Sequence, residues 1–279
     1  MMKEVRNMEA YSVLMSVYSK EKPEYFRVAI QSMIGQTAQA DEFVIVCDGP
    51  LTEELDEVLS WAEEKQKEKI KIVRLPQNGG LGKALNMGLM ACKNELVARM
   101  DTDDISLSDR CEKQLKAFSD HPEVSVISGV AEEFYEDANE ITARRVLPLD
   151  HEAIYEFAKK RNPFNHPCVM FKKSAVQKAG GYQEMYRLED YFLWVRMLLN
   201  GEKGLNLNDT LLKMRTGAGM YKRRGGLKYI SAQIELFSYM MENGMITRMR
   251  FLKNVILRTF SGLLPGSIRL LLFRKLLRK

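Results

Sequence analysis

The chain is short of cysteine and histidine, with four and three among 279 residues. Cys47, Cys92, Cys111 and Cys168 form no CxxC pair, and three of them fall inside apolar or helical patterns where a small buried side chain fits. That leaves no structural zinc site and points to a reducing compartment. A leader is missing as well: Met1 to Ala10 mixes Lys3, Glu4, Arg6 and Glu9 with no apolar core, so no secretory or transit peptide is spelled and the expected location is the cytoplasm. The first predicted strand is followed neither by GxGxxG nor by a glycine-rich loop bearing Arg and Lys. The first absence argues against a dinucleotide-dependent oxidoreductase and the second against a sugar-1-phosphate nucleotidyltransferase. Internal repeats and low-complexity stretches are absent too.

What the chain has is apolar content for a full core, 46% of its residues, and a length that allows one large domain or two small ones. Charge is unevenly placed. The net value is only +5, yet Thr210 to Lys279 holds fifteen Lys/Arg against Glu235 and Glu242 alone, so the preceding part is net acidic. A basic tail on an acidic body seeks anionic surfaces.

Apolar runs of four to seven residues alternate with longer helical patterns through the first half, the pattern of βαβ units around a parallel sheet. The spacing predicts strands at Tyr11–Ser16, Glu42–Cys47, Lys71–Leu75, Leu96–Met100 and Val124–Ser128. Helices are predicted near Pro23–Ile34, Thr52–Lys67, Leu81–Cys92 and Ser108–Ser119, with Pro23, Thr52 and Ser108 as first-turn signals. Beyond residue 130 shorter pieces follow: Glu132–Tyr135, Ile141–Leu147, a helix near His151–Lys159, a strand at Val169–Lys172 and a helix at Asp190–Leu199. Gly225 and Gly226 precede a long helix from about Leu227 to Met241, and the remainder is helical, apolar and basic. The expected division is a catalytic domain over 1–220 and a helical basic tail over 221–279.

Met100 ends an apolar strand and is followed directly by Asp101-Thr102-Asp103-Asp104, which sets three carboxylates at the C-terminal edge of a parallel sheet, where open α/β sheets bind ligands. Carboxylates separated by one residue reach a common point, and hard oxygen donors suit Mg²⁺ or Mn²⁺ bridging a diphosphate. Alone, such a run also reads as a solvated acidic loop capping the next helix through Ser106 or Ser108. Its neighbours favour a ligand site. Ser16 and Tyr18 close the first strand, where a hydroxyl can reach a base edge or ribose and a ring can stack. Asp48-Gly49 closes the second, offering a carboxylate to a uracil or ribose. Gln77-Asn78-Gly79-Gly80-Leu81-Gly82-Lys83 opens the next helix, bringing backbone N–H groups and a lysine to an anion.

With Ser12–Lys20, Val46–Gly49, Asn78–Asn86 and Met100–Asp104, and with Asn165-His166-Pro167, Gly180-Gly181-Tyr182 and Glu189-Asp190-Tyr191-Phe192-Leu193-Trp194, the sequence from roughly Tyr11 to Trp194 resembles the family 2 glycosyltransferases of GT-A fold. The resemblance implies a nucleotide-sugar donor with UDP foremost, a divalent metal, and inversion at the anomeric carbon. It assigns Ser16, Tyr18 and Asp48 to the nucleoside, Asp101 to the ribose or the metal, and Asp103 to the metal; Asn78 joins the donor-binding set. Asp190 has a catalytic aspartate as its family counterpart.

An inverting transfer needs a base on the sugar face opposite the leaving diphosphate, and Asp190, returning from the other half of the fold, suits the acceptor side. Lys83 or distal arginines would offset charge on the leaving group. Two acids in a first turn also read as ordinary helix capping. His166 has two readings, a contact to donor phosphate or acceptor and a structural imidazole satisfied by backbone. Arg223-Arg224 has two as well: Arg224 folds back over the diphosphate, or both arginines are solvated.

From Met245 to Lys279 there are nine Lys/Arg and no acid, with Pro265 and Gly266 separating two helical pieces. Arg258, Arg269 and Arg274 interrupt the apolar run short of the roughly 18 to 20 residues that a spanning helix needs. Lying in the interface of an anionic cytoplasmic leaflet fits, near a lipid-linked acceptor; a cap over the catalytic domain is the other reading. Nucleic acid is not expected as a partner, because the tail offers few stacking aromatics. Bacterial surface-polysaccharide assembly is the expected setting, and an inactive nucleotide-sugar-binding module is the rival from another class.

Overall fold

A computed structural model describes residues 9–217 and 225–263. The first half builds a parallel sheet from strands β1 (Tyr11–Val17), β2 (Glu42–Cys47), β3 (Ile70–Arg74) and β4 (Leu96–Met100), side by side in the order β3-β2-β1-β4. Strands buried on both faces need apolar side chains at nearly every position, and β2 (EFVIVC) and β4 (LVARM) are buried throughout. Alternation sorts them onto two cores. Leu14, Val44, Val46 and Val97 face one side, against Ala84, Leu85 and Leu89 of α3 (Leu81–Ala91). Val13, Met15, Phe43 and Ile45 face the other, against α1 (Pro23–Ile34) and α2 (Glu53–Gln66). Pro23 begins α1 where a missing N–H does no harm, and three acids favour the first turn of α2.

The chain then departs from regular βαβ winding. A short β5 (Ile105–Ser106) and α4 (Arg110–Asp120) lead to β6 (Val124–Phe134), which pairs with β7 (Ile141–Arg145). Helix α5 (His151–Ala158) is capped by Asp150, whose carboxylate accepts the N–H of Ala153 at 2.9 Å. Strand β8 (Met170–Lys172) inserts antiparallel between β4 and β6, followed by α6 (Lys173–Lys178), α7 (Glu189–Leu199) and β9 (Lys203–Arg215), which runs parallel to β6 and pairs with β5. Among the described residues nine strands form one mixed sheet whose longest pairings are parallel, flanked by helices, a GT-A-like α/β architecture.

Strand β9 is not expected from the pattern, and its polar centre explains why. Asn206, Asn208 and Asp209 interrupt the alternation, and the register against β6 shifts at Ser128/Val130 to accommodate them. Strand β6 is one piece where two were expected. Helix α4 starts at Arg110 rather than Ser108, with Asp109 at its N-cap and no side-chain cap bond. The acidic run therefore does not serve as a cap through either serine.

Helices α8 (Leu227–Glu242) and α9 (Arg248–Leu263) follow β9. Leu236, Phe237 and Met240 of α8 share the hydrophobic cluster of Trp194 on α7. Only Asn254 and Gly262 of α9 are buried. No helix of the described residues is long and apolar enough to cross a membrane. Pro265, Gly266 and the rest of the expected second tail helix lie outside the described residues.

Candidate active site

Strands β1, β2 and β4 release the chain at one sheet edge, where β1 stands between neighbours that wind in opposite directions. Ser16 is half-buried near the end of β1, and Tyr18 lies just past it, 43% exposed and open to a stacking partner. Asp48 is buried just past β2. Its Oδ1 accepts the backbone N–H of Gly79 at 2.7 Å and its Oδ2 that of Gly80 at 3.0 Å. Asn78, exposed, donates its side-chain amide to the Asp48 carbonyl at 3.2 Å. Two N–H groups of the glycine-rich turn, expected to point at an external anion, are thus taken by a carboxylate of the protein. Gly49 has φ +88°, and a Cβ there would stand 2.7 Å from the amide nitrogen of Asn78, so glycine is required where the two loops touch. Lys83 is exposed in the first turn of α3, its stem packed beside Gly79.

Beyond β4, one carboxylate oxygen from each of Asp101, Asp103 and Asp104 lies within 4.8 Å of the others. Asp101 pairs with Arg99, a fully buried guanidinium whose Nε and Nη1 have no hydrogen-bond partner. Thr102 donates to Glu21 at 2.6 Å. Asp104 is buried; its Oδ1 accepts the N–H of Arg215 at 2.7 Å, and its Oδ2 has no hydrogen-bond partner. The Arg215 guanidinium donates to the Asp103 carbonyl at 3.1 Å and lies over the Tyr25 ring at 3.8 Å. Burial pushes the Asp103 carboxyl up to about 7, with the charges of Asp101 and Glu21 adding to it. Burial, then Asp101 and Asp103, raise Asp104 in the same direction. Crowded hard oxygens that resist ionisation together, one of them buried without a partner, fit a divalent cation of the Mg²⁺ or Mn²⁺ kind.

A second acidic group arrives from α7. Asp190 sits in its first turn, half-buried; its Oδ2 accepts the Asn162 amide at 2.6 Å and its Oδ1 the N–H of Tyr191 at 2.7 Å. The loop before α7 is fastened to α3: the Asn86 carboxamide accepts the N–H of Tyr182 at 2.8 Å and donates to its carbonyl at 2.6 Å. Gly181, at φ +66°, lies so close that a Cβ would be 2.6 Å from the Asn86 Oδ1. A Cβ on Gly82, one residue into α3, would touch both Tyr182 and Glu189 at 3.6–3.7 Å. The Tyr182 phenol feels the charges of Arg99, Asp190 and Asp101 together, and burial raises its pKa. Tyr182 therefore sits where α3 meets the loop that leads into α7.

His166 is buried in this layer, with Nε2 2.9 Å from the Tyr182 hydroxyl and its ring 6.0 Å from that of Trp194. Burial and the Arg99 charge hold its pKa well below the usual imidazole range. The enclosed ring has the Tyr182 hydroxyl as its partner, where the structural reading supposed backbone. Arg223 and Arg224 lie outside the described residues.

Arg99, Asn162 and Arg215 were not singled out from the sequence for this site, and Tyr182 and Asn86 fall inside quoted motifs without a role of their own. Arg99 carried a signal, a charge inside an otherwise apolar strand; the others owe their place to contacts across 28 to 111 residues.

Residues 12–180 match the model of "Glycosyl transferase family 2", a span that holds the strand-end loops, the acid cluster and Gly180. The amylovoran biosynthesis glycosyltransferase AmsE of Erwinia amylovora is 43% identical over 95% of this chain and 98% of its own. An Escherichia coli enzyme named UDP-Gal:alpha-D-GlcNAc-diphosphoundecaprenol beta-1,3-galactosyltransferase is 37% identical over 96% and 97%. Among solved structures, the mannosyltransferase PcManGT of Pyrobaculum calidifontis, in complex with GDP-Man and Mn²⁺, superposes with a TM-score of 0.67 at 14% identity, covering 91% of this chain and 70% of that one. At that identity the likeness speaks for the fold alone. Fold, strand-end chemistry and full-length relatives converge, and the chain belongs to glycosyl transferase family 2.

Proposed function

We propose that this glycosyltransferase moves a sugar from a UDP-sugar onto a hydroxyl of a lipid-linked diphosphate glycan in bacterial surface-polysaccharide assembly, with inversion at the anomeric carbon. The observation that supports the chemistry is the acid cluster past β4, where one carboxylate oxygen from each of Asp101, Asp103 and Asp104 lies within 4.8 Å of the others; Asp190 is held at the head of α7 by Asn162. The donor and acceptor classes rest on the Escherichia coli relative, whose name states UDP-Gal and a diphosphoundecaprenol-linked acceptor.

In this reading Tyr18 stacks on the base, and Ser16 and Asp48 meet the nucleoside. Asp48 keeps acceptor capacity beyond the two N–H groups it already holds, since each carboxylate oxygen takes more than one hydrogen bond. Asp101 and Asp103, with Asp104 beside them, would hold Mn²⁺ or Mg²⁺, which when bound offsets charge on the diphosphate. Asp190 takes the proton of the acceptor hydroxyl as its oxygen bonds to the anomeric carbon, and the electron pair of the breaking C–O bond leaves with the diphosphate. Asn162 holds the Asp190 carboxylate in register. The protein sits peripherally at the inner face of the cell membrane, a placement supported by its basic C-terminal stretch.

A thermal-shift screen of UDP- and GDP-sugars with and without Mn²⁺, followed by transfer to a synthetic lipid diphosphate acceptor, tests this. The expected result is a UDP-sugar shift that needs the cation, with Asp190→Asn keeping the shift and losing transfer. Wild-type transfer by Asp190→Asn would refute the assignment, and an unaltered melting point with every donor would refute the nucleotide site.

A further inference from the structure

We propose that the outward face of α9 is the surface by which this protein lies on an anionic bilayer, with Met249, Leu252, Ile256, Phe260 and Leu263 entering the interface. The proposal deepens the peripheral placement suggested above and rests on it only for the presence of a membrane. Helix α9 is fastened on one side only: Asn254 donates to the Lys159 carbonyl at 2.8 Å, Arg258 to that of Lys160, and Gly262 abuts Ile230 of α8. At 3.6 residues per turn, Met249, Leu252, Ile256, Phe260 and Leu263 fall within an arc of about 80° centred opposite that packed side. All five are exposed, Met249 to 77% and Ile256 and Phe260 to 67% each. Scattered exposed apolar residues are ordinary; five aligned along one helix face are not.

Charge selects the occupant. Between residues 243 and 263 there is no Asp or Glu, while Arg248, Arg250, Lys253 and Arg258 lie on α9. By the same helical geometry Arg248 borders one edge of the stripe and Lys253 and Arg250 the other. Beside it an open groove of about 750 Å³ is lined by apolar Met245, Met249 and Ile256 and by Arg250 and Lys253, with one acid, Glu156, ion-paired to Lys159. An apolar stripe between cations matches acyl chains beneath anionic headgroups, the arrangement of an interfacial helix. An anionic protein would satisfy the cations but leave the stripe in water.

The attachment also has a direction. The carbonyls that anchor α9 belong to Lys159 and Lys160, and two residues further on Asn162 holds Asp190. A bilayer under α9 therefore lies beside the segment that carries the acceptor-side acid, which is where a membrane-borne acceptor has to arrive.

The test is co-sedimentation of the full chain with vesicles of phosphatidylethanolamine and phosphatidylglycerol, against phosphatidylcholine alone. It compares wild type, Ile256→Glu/Phe260→Glu, and Val28→Glu, an exposed apolar position on α1. Wild type and Val28→Glu are expected to bind the anionic vesicles and not the neutral ones; the double variant should bind them about ten-fold more weakly or worse, with an unchanged melting temperature. Equal binding by the double variant, or by neutral vesicles, or no binding by wild type, would overturn the proposal. So would a double variant that turns a dimer into a monomer on gel filtration, since the stripe would then be a contact between copies. None of these readouts involves sugar transfer, so an enzyme that transfers sugar without binding vesicles refutes this inference alone.

Discussion

The Asn162 amide reaches Asp190 across 28 residues of sequence and donates to Oδ2 at 2.6 Å, while Oδ1 is engaged by the N–H of Tyr191. Two directional bonds leave the carboxylate little rotational freedom. If Asp190 is the base, loosening it costs orientation rather than donor affinity. Asn162→Ala is expected to lower kcat about ten-fold or more with the donor KM unchanged, against about 10²–10⁴-fold for Asp190→Asn. Steady-state kinetics with varied donor check this. A loss confined to KM would contradict the positioning role.

The acid cluster is under electrostatic load without a cation. Asp103 has its carboxyl raised from 3.8 to about 7, so between those values the folded state binds a proton that the unfolded chain has released. Stability contributed by this group is full below about pH 4 and is lost as pH climbs through about 7. Mn²⁺ competes with that proton. The cation-dependent rise in melting temperature is expected to be larger at pH 8 than at pH 5. Asp103→Asn should melt higher than wild type in EDTA at pH 8, by about 2–4 °C per kcal/mol relieved, while losing most of its response to Mn²⁺. Melting curves over this pH range decide it; a lower melting point for Asp103→Asn in EDTA would show that its charge is compensated within the protein.

Asp48 joins two strand-end loops through Gly79 and Gly80. Bonds from neutral donors to a carboxylate contribute on the order of 1.5–3 kcal/mol in total where water can replace part of them, as at exposed Gly79. Asp48→Ala is expected to lower stability by that order and to raise the donor KM, because the glycine-rich turn loses its tie to the end of β2. Asp48→Asn keeps one acceptor and should fall between the two. Urea unfolding alongside donor titration checks both effects, and an Asp48→Ala protein with wild-type stability would remove the clasp as a structural element.

The parallel half of the fold was legible because its signals are local. Leu14 and Val13 alternate between two cores, Pro23 opens a helix, and Asp101 follows the last apolar residue of a strand. The other half is held by partners that no local pattern announces. Strand β9 reaches β6 only through register shifts around its polar centre, and Arg215 meets Asp104 across 111 residues. At the site, residue types were readable and their partners were not. Asp48 reads as a carboxylate at a strand end, but nothing in the sequence says that Gly79 and Gly80 already occupy it. His166 reads equally as a ligand or a core residue, and nothing in the sequence says that its partner is the hydroxyl of Tyr182 or its neighbour Trp194.

Arg110 shows how the site is tied to the core. It is fully buried at the start of α4 and donates to the carbonyls of Arg99 at 2.7 Å, Val169 at 3.2 Å and Pro167 at 3.2 Å. Its neighbour Gln114 donates to the carbonyls of Cys168 at 2.8 Å and Ile127 at 3.1 Å. These acceptors gather where the end of β4 and the segment entering β8 meet β6, where side-chain donors supplement the strand pairing. Methionine at position 110 would match the apolar stem but take the guanidinium away from three buried carbonyls; that of Val169 keeps the N–H of Arg99 at 2.9 Å, while those of Arg99 and Pro167 lose this donor at about 1–3 kcal/mol each. Arg110→Met is therefore expected to destabilise by on the order of 3–5 kcal/mol, a fall of about 10 °C in melting temperature. Because Arg99 and Asp101 ride on the same strand end, the variant should also lose most of the stabilisation that Mn²⁺ gives wild type. A melting temperature within about 2 °C of wild type would mean that water or neighbouring donors satisfy the junction and that Arg110 is not what holds the acid cluster to the sheet.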